Sequence, residues 1–328
     1  MAFDPKKVYL SPAPHFSAGE TTRGIMLKVV AALAPLCVCG VVLFGAPAAV
    51  TIAVSVAGCV GFETAFRKLS RQESRAGDLS AAVTGVMLAL TLPPSTPAWM
   101  TLLGALFSVV VAKEFFGGLG ANVFNPALTG RAFLLMSFPV ALTTWTKPFD
   151  AVTGATLLPK LNAVGEFADA ASGAAETVEA SRLAYFIGNR AGCIGETSVL
   201  LILLAFLFLL ATKVIDWRAP VAMIAATAGL TALFGGDPFW AVLSGGLLFG
   251  AVFMTTDYAT SPVTKGGKLV FGAGCGVVTF LIRRFGGYPE GVMFSILIMN
   301  IIVPFLNNIV PHKYGYVKPA KKAAGGTV

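Results

Sequence analysis

Residues 29–62 carry no Asp, Glu, Lys or Arg. At about 1.5 Å of rise per residue, such a run is too long for one crossing of roughly 30 Å of hydrocarbon. Gly45-Ala46-Pro47 divides it into two helices. Residues 79–112 repeat the pattern, with Pro93-Pro94-Ser95-Thr96-Pro97 as the break. A fifth span is predicted over 123–142, and further spans over 197–212, 219–235, 239–256, 269–285 and 291–310. Only 143–195, between the two groups of five, is long and of soluble composition, with Asp150, Glu166, Asp169, Glu176 and Glu179. The expected organisation is an amino-terminal segment (1–24), a first five-helix half (25–142), a loop (143–195), a second half (196–310) and a basic tail (311–328).

The halves resemble each other. Phe116-Gly117-Gly118 and Phe285-Gly286-Gly287 each precede a late span of their half, and Ala82-Val83 and Ala241-Val242 each open a glycine-containing apolar run. With five spans per half, such a repeat must be inverted in the membrane. The fold class expected is therefore an all-α integral membrane protein of about ten transmembrane helices in two five-helix inverted repeats, with broken helices. Leu92-Pro93-Pro94-Ser95-Thr96-Pro97 and Phe116-Gly117-Gly118-Leu119-Gly120-Ala121-Asn122 cannot be regular helix throughout. Irregular backbone at membrane depth persists only where protein or a cavity satisfies its polar groups, so these segments are expected beside a ligand or an ion path.

Composition strengthens the membrane reading: 56% of the residues are hydrophobic and 12% charged, against roughly a quarter charged in soluble domains. The net charge of +8 does not imply nucleic acid, because the basic residues lie between apolar runs rather than on one polar domain. Their distribution gives orientation instead. With the amino terminus inside, only Lys147, Lys160, Arg182, Arg190, Arg283 and Arg284 of the 24 Lys and Arg fall outside. Arg67, Lys68, Arg71, Arg75 and the tail residues Lys313, Lys318, Lys321 and Lys322 fall inside. Both termini are thus expected in the cytoplasm and the 143–195 loop outside. No cleavable signal peptide is visible in the first 24 residues, so insertion is expected to use the first span. The cysteines (Cys37, Cys39, Cys59, Cys193 and Cys275) show no Cys-x-x-Cys spacing, and His15 and His312 are far apart in sequence. No metal or iron–sulfur site is expected within this chain alone.

The loop holds Asp150-Ala151-Val152-Thr153-Gly154-Ala155-Thr156. This matches the Asp-x-x-Ser/Thr-Gly-Ala-Thr signature for covalent attachment of flavin mononucleotide (FMN), in which the last threonine is esterified to the flavin phosphate. Thr156 supplies the hydroxyl, and Gly154-Ala155 keeps bulk away from an approaching flavin transferase. Thr153 takes the small Ser/Thr position, and the Asp150 carboxylate is placed to orient reactants. A second constellation runs Lys113-Glu114-Phe115-Phe116-Gly117-Gly118-Leu119-Gly120-Ala121-Asn122-Val123-Phe124-Asn125-Pro126-Ala127-Leu128-Thr129-Gly130-Arg131. Others are Gly61-Phe62-Glu63-Thr64, Lys265-Gly266-Gly267-Lys268 and Tyr288-Pro289-Glu290-Gly291.

In this order, from about Ser11 to Asn307, the motifs resemble the family that includes the D subunit of the Rnf complex and the B subunit of the sodium-pumping NADH:quinone reductase. The resemblance implies a ten-helix membrane fold in the cytoplasmic membrane of a bacterium or archaeon, with covalent FMN on the outer side. It implies a second, non-covalent riboflavin toward the cytoplasm, with Asn122 and Asn125 as its contacts. Those two asparagines read equally well as caps of the span that opens at Pro126. It implies electron transfer between ferredoxin and NAD+ coupled to Na+ or H+ export, with iron–sulfur and flavin subunits as partners. A short segment before the first span favours the Rnf type over the quinone reductase. A channel or solute transporter without redox function is the alternative from another class, and Thr156 discriminates, since a transporter has no use for a flavin ester.

Three charges fall inside or at the ends of spans: Glu63, Arg131 and Asp257. Such groups are costly in hydrocarbon and point to function. Glu63 and Asp257 are candidates for an ion path, as the resemblance implies, or are solvated at the interface. Arg131 is expected to neutralise a buried anion or to bond carbonyls of a broken segment. Asn307 stands where sodium-pumping relatives carry an acid.

Overall fold

The computed structural model describes residues 20–145, 186–188, 192–286 and 290–308. The flavin-attachment motif with Asp150, Thr153, Gly154, Ala155 and Thr156 lies outside the described residues, as do both termini. Among the described residues all regular structure is helical.

The long uncharged runs break where their sequence breaks. Helix α1 (Thr22–Phe44) opens on Thr21, whose hydroxyl accepts from Gly24 N. It ends at Gly45, whose φ of 70° no ordinary residue adopts cheaply, and α2 (Ala46–Leu69) starts there with Pro47 in its first turn. Helix α3 (Ser80–Thr91) stops before Pro93-Pro94. Helix α4 (Ala98–Leu106) comes next and runs into a π-helical turn, Phe107–Val111. Helices α5 (Pro126–Ser137) and α6 (Pro139–Thr143) complete the first half. The second half holds α7 (Val199–Ala211), α8 (Arg218–Leu233), α9 (Pro238–Leu243), α10 (Leu247–Phe249), α11 (Lys265–Phe285) and α12 (Val292–Asn308). A second π turn, Gly250–Met254, continues α10. The apolar run 239–256, expected as one span, is therefore interrupted at Ser244-Gly245-Gly246, a break the hydropathy alone does not reveal.

Four helical stretches are long and apolar enough to cross a membrane: Thr22–Phe44, Ala46–Leu69, Ala98–Phe116 and Lys265–Phe285. The chain is a multi-pass membrane protein on this evidence. Its outer surface remains apolar, with Val42, Leu207, Ile301 and Phe305 exposed, as expected where lipid is the solvent. The interior is held by close approach of backbones rather than by large side chains alone. At Gly272 of α11 a Cβ would stand 2.2 Å from the carbonyl oxygen of Ala219 in α8, so only glycine fits. Between α2 and α3, Ser55 donates to the Gly85 carbonyl at 2.7 Å.

Both breaks are satisfied from elsewhere in the chain. The Leu90 and Leu92 carbonyls at the end of α3 accept from Gly195 N (2.8 Å) and Ile194 N (3.2 Å) of a buried segment, 192–198. At the second break, the Arg283 guanidinium donates to the carbonyls of Ala241 (2.6 Å) and Ser244 (3.1 Å). Glu290 accepts from Gly246 N at 2.8 Å. Arg283, counted outside by charge distribution, is thus a buried cap on α9 rather than a free topological charge.

Candidate functional site

The site is built from chain segments that stop being α-helix. After the π turn of α4, in which Ala112 N bonds Phe107 O, the backbone delivers Lys113 inward. A π turn adds a residue per turn and so re-aims the residues beyond it. After the π turn of the second half, where Thr255 N bonds Gly250 O, comes Asp257. The glycine-rich stretch runs from Glu114 to Asn122, with Gly117, Gly118 and Gly120 at positive φ. At Gly118 a Cβ would meet Arg67 Nη2 at 2.5 Å, so the missing side chain is what admits the guanidinium.

Lys113, Asn122, Asn125 and Asp257 line one cavity, with Met26 and Val29 of α1, Leu209 of α7 and Phe253 as apolar walls. Asn125 caps α5: its Oδ1 accepts from Leu128 N at 3.2 Å. Its Nδ2 donates to Asp257 Oδ2 at 3.5 Å, a long bond. Asn122 lies before the helix rather than one turn along it. Its Oδ1 accepts from Gly120 N (3.3 Å), and its Nδ2 donates to Phe124 O (3.1 Å). Of the two asparagines expected as contacts or caps, Asn125 caps α5, and the irregular loop brings both amides to one cavity. Each amide keeps a donor and an acceptor beyond those it spends. The Asn300 amide of α12, oriented to suit its neighbours, accepts from Asn125 N (3.1 Å) and donates to Thr260 O (3.1 Å).

Two buried ion pairs stand at and behind the cavity wall. Lys113 Nζ donates to Glu63 Oε1 at 2.7 Å and to Ser80 Oγ at 2.6 Å. The exposure of Glu63 is 1%, which removes its reading as a solvated interfacial acid. Its Oε2 has no hydrogen-bond partner among the described residues. Arg67 pairs with Glu114 at 3.1 Å, likewise buried. Asp257 accepts from Thr260 Oγ1 at 2.9 Å. Glu63 stands behind Lys113, and Asp257 is on the cavity wall, so the two candidate ion-path acids flank the same ammonium. Arg131 stands apart, bonding Glu290 Oε2 at 2.6 Å and reaching Cys193 Sγ at 3.5 Å. It neutralises a buried anion, as expected. Asn307 accepts from Val263 N at 2.9 Å and ties α12 to the start of α11.

Lys113, Arg67 and Glu114 were not singled out by the sequence. The available signal was an isolated Lys-Glu at the end of an uncharged run, facing Glu63 and Arg67 at the end of another. Among the described residues no three His, Cys, Asp or Glu side chains are placed to hold a metal ion.

Residues 9–315 match the NQR2, RnfD, RnfE family. The chain belongs to that family. Among similar family members is the D subunit of the proton-translocating ferredoxin:NAD(+) oxidoreductase complex of Clostridium ljungdahlii, 40% identical over 93% of this chain and 96% of that protein. The D subunit of the Na(+)-translocating ferredoxin:NAD(+) oxidoreductase complex of Acetobacterium woodii is 40% identical over 96% and 97%. The D subunit of the ion-translocating oxidoreductase complex of Stutzerimonas stutzeri is 37% identical over 89% and 91%. The first two are equally similar to this chain yet named for different ions, so overall resemblance within the family does not select the ion.

Proposed function

We infer that this chain is the flavin-bearing membrane subunit of an Rnf-type ferredoxin:NAD+ oxidoreductase, coupling electron transfer to Na+ or H+ translocation. The observation that carries the reading is the cavity onto which Lys113, Asn122, Asn125 and Asp257 converge. Its walls are apolar with a few convergent polar groups, the composition of small-molecule and cofactor sites. The donor set suits riboflavin. Asn122 and Asn125 offer spare amide groups to the polar edge of an isoalloxazine, Lys113 offers a cation, and Met26, Val29 and Phe253 offer apolar faces. The relatives' names and near-complete mutual coverage support the same reading.

The flavins supply one- and two-electron redox chemistry; the protein's own groups do the rest. Thr156 anchors FMN through its hydroxyl on the outer face, the Asp150–Ala155 stretch being the transferase recognition sequence. Asn122 and Asn125 fix the orientation of the second flavin, and the helices around Met26 and Leu209 exclude water from it. The sequence offers no Gly-x-Gly-x-x-Gly nucleotide site and no ferredoxin-type cysteine set, so iron–sulfur and flavin subunits provide both ends of the pathway.

The reading includes ten spans in two inverted halves, with both termini and the cavity on the cytoplasmic side of a bacterial or archaeal inner membrane. Supporting it, α2 packs on α4 as α8 packs on α11, α4 on α5 as α11 on α12, and α1 on α3 as α7 on α10. The third helix of the first half, α3, is short and ends at a break, and the corresponding stretch of the second half is interrupted at Ser244-Gly245-Gly246. The deciding experiment releases flavins from the purified complex. Denaturation should free riboflavin while FMN stays on the Thr156 peptide, and absence of both would refute the assignment.

A further inference from the structure

Lys113 is a lysine that lines the cavity while being fully spoken for on its other side. An ammonium carries three N–H donors. Glu63 engages Nζ from behind the cavity wall at 2.7 Å, and Ser80, which lines the cavity with Lys113, accepts at 2.6 Å, so one N–H is left over. Glu63 in turn has one oxygen bonded to that ammonium and the other, buried, with no hydrogen-bond partner. The carboxylate therefore depends on Lys113 for its charge balance. A buried carboxylate that loses its counter-ion must take another, because an isolated charge in an apolar interior costs several kcal/mol.

We propose that Lys113 sets the reduction potential of the ring bound in the cavity, and that competition between Glu63 and that ring for its ammonium ties the potential to cation binding at Glu63. The inference rests on the flavin reading of the cavity given above. One electron enters from a low-potential iron–sulfur donor, bringing one negative charge into the cavity. The Lys113–Glu63 hydrogen bond breaks and a hydrogen bond from Nζ to the ring forms. Glu63 then accepts one monovalent cation, Na+ or H+, and the net charge of the region is unchanged. By linkage, a cation that binds more tightly after the electron arrives must also raise the potential, by an equal free energy. The charged and titratable groups facing Glu63 and Lys113 are Glu114 and Arg67, Cys59 within α2, and Asp257 across the cavity. None of these replaces Lys113 as the direct ion-pair partner of Glu63 among the described residues.

The test is a redox titration of the purified complex carrying Lys113→Met, Lys113→Arg or Glu63→Gln, monitored by visible absorbance. The flavin component that moves between wild type and variant is the one in the cavity, and the other flavins serve as internal references. Riboflavin released on denaturing wild type is measured first; its absence would sink the flavin reading itself rather than this inference. Lys113→Met should lower the midpoint, with the reduced fraction at fixed potential falling about tenfold, or about 59 mV for a one-electron step. Lys113→Arg should largely restore it. Glu63→Gln should move the midpoint the opposite way, upward, and should abolish the rise that added Na+ or lowered pH gives in wild type. A residue that merely holds the fold would not produce shifts of opposite sign. Riboflavin-loaded Lys113→Met with an unmoved midpoint overturns the proposal, as does a shift of the same sign in the Met and Gln variants. If Lys113→Met loses its riboflavin, Glu63→Gln decides: an upward, ion-insensitive midpoint supports the proposal, and any other result overturns it.

Discussion

On the proposed reading Asn125 holds two jobs that one substitution can separate. As the N-cap of α5 it accepts from Leu128 N at 3.2 Å, and as part of the cavity wall it offers its amide to a ligand. Serine caps as well as asparagine does, but its hydroxyl is shorter by two heavy atoms and carries no NH2. Asn125→Ser should therefore keep the cap, while Asn125→Ala loses it at a cost of about 1 kcal/mol. Both variants lose the long bond to Asp257 at 3.5 Å, which contributes little at that distance. For the ligand the two variants are alike. Each removes one hydrogen bond of about 1 kcal/mol and leaves a buried flavin group unpaired, costing about 1–3 kcal/mol more. Retention of riboflavin should thus fall on the order of tenfold or more in both. Thermal unfolding in detergent reads the first effect, and riboflavin released from the denatured complex reads the second. A serine variant that is stable and fully loaded would show that Asn125 is only a cap.

The flavin ester is tested by mass spectrometry: Thr156→Val should remove the FMN mass from the loop peptide, while Thr153→Ser should keep it. Orientation is tested in a background without the native cysteines, where a cysteine at position 170 should react with an impermeant thiol reagent applied outside and one at 70 should not; the reverse pattern would invert the topology. Packing is tested by two alanines in facing helices. Gly272→Ala puts a Cβ 2.2 Å from the Ala219 carbonyl and should destabilise by about 1–3 kcal/mol. Gly229→Ala, with nothing within 4 Å of its Cβ, should be neutral or stabilising by up to about 1 kcal/mol; equal effects at the two positions would contradict the close α8–α11 approach.

The spans were legible wherever hydropathy and a breaker coincide. Gly45 and Pro93-Pro94 announce their breaks because no helix continues through them cheaply. Ser244-Gly245-Gly246 does not announce itself, since serine and glycine are ordinary in membrane helices. What opens that break is tertiary: Arg283 and Glu290, remote in sequence, satisfy the carbonyls and amide that it frees. The cavity was half legible for the same reason. Asn122 and Asn125 stand out beside a glycine-rich run, and Glu63 and Asp257 stand out as lone acids. Their convergence depends on two π turns that no hydropathy pattern encodes. Lys113 escaped notice because its meaning lies in Glu63, on a helix that packs beside its own π turn.

The two polar clusters of the described structure divide along one physical line. At the Arg131–Glu290 end three charges bond backbone or an opposite charge: Arg131 bonds Glu290, Glu290 accepts from Gly246 N, and Arg283 donates to two carbonyls, while its Nε has no hydrogen-bond partner among the described residues. Such groups are the means by which broken helices survive in hydrocarbon, and removing one strands the rest. At the Lys113 end the accounting is left open: Glu63 keeps an unbonded oxygen, the amides of Asn122 and Asn125 keep spare groups, and all of them stand at or behind one cavity. Incomplete satisfaction costs stability wherever it occurs. On the proposed reading the set that faces the cavity is where a ligand and an ion gain by binding, and where substitutions should change redox and ion behaviour more than folding.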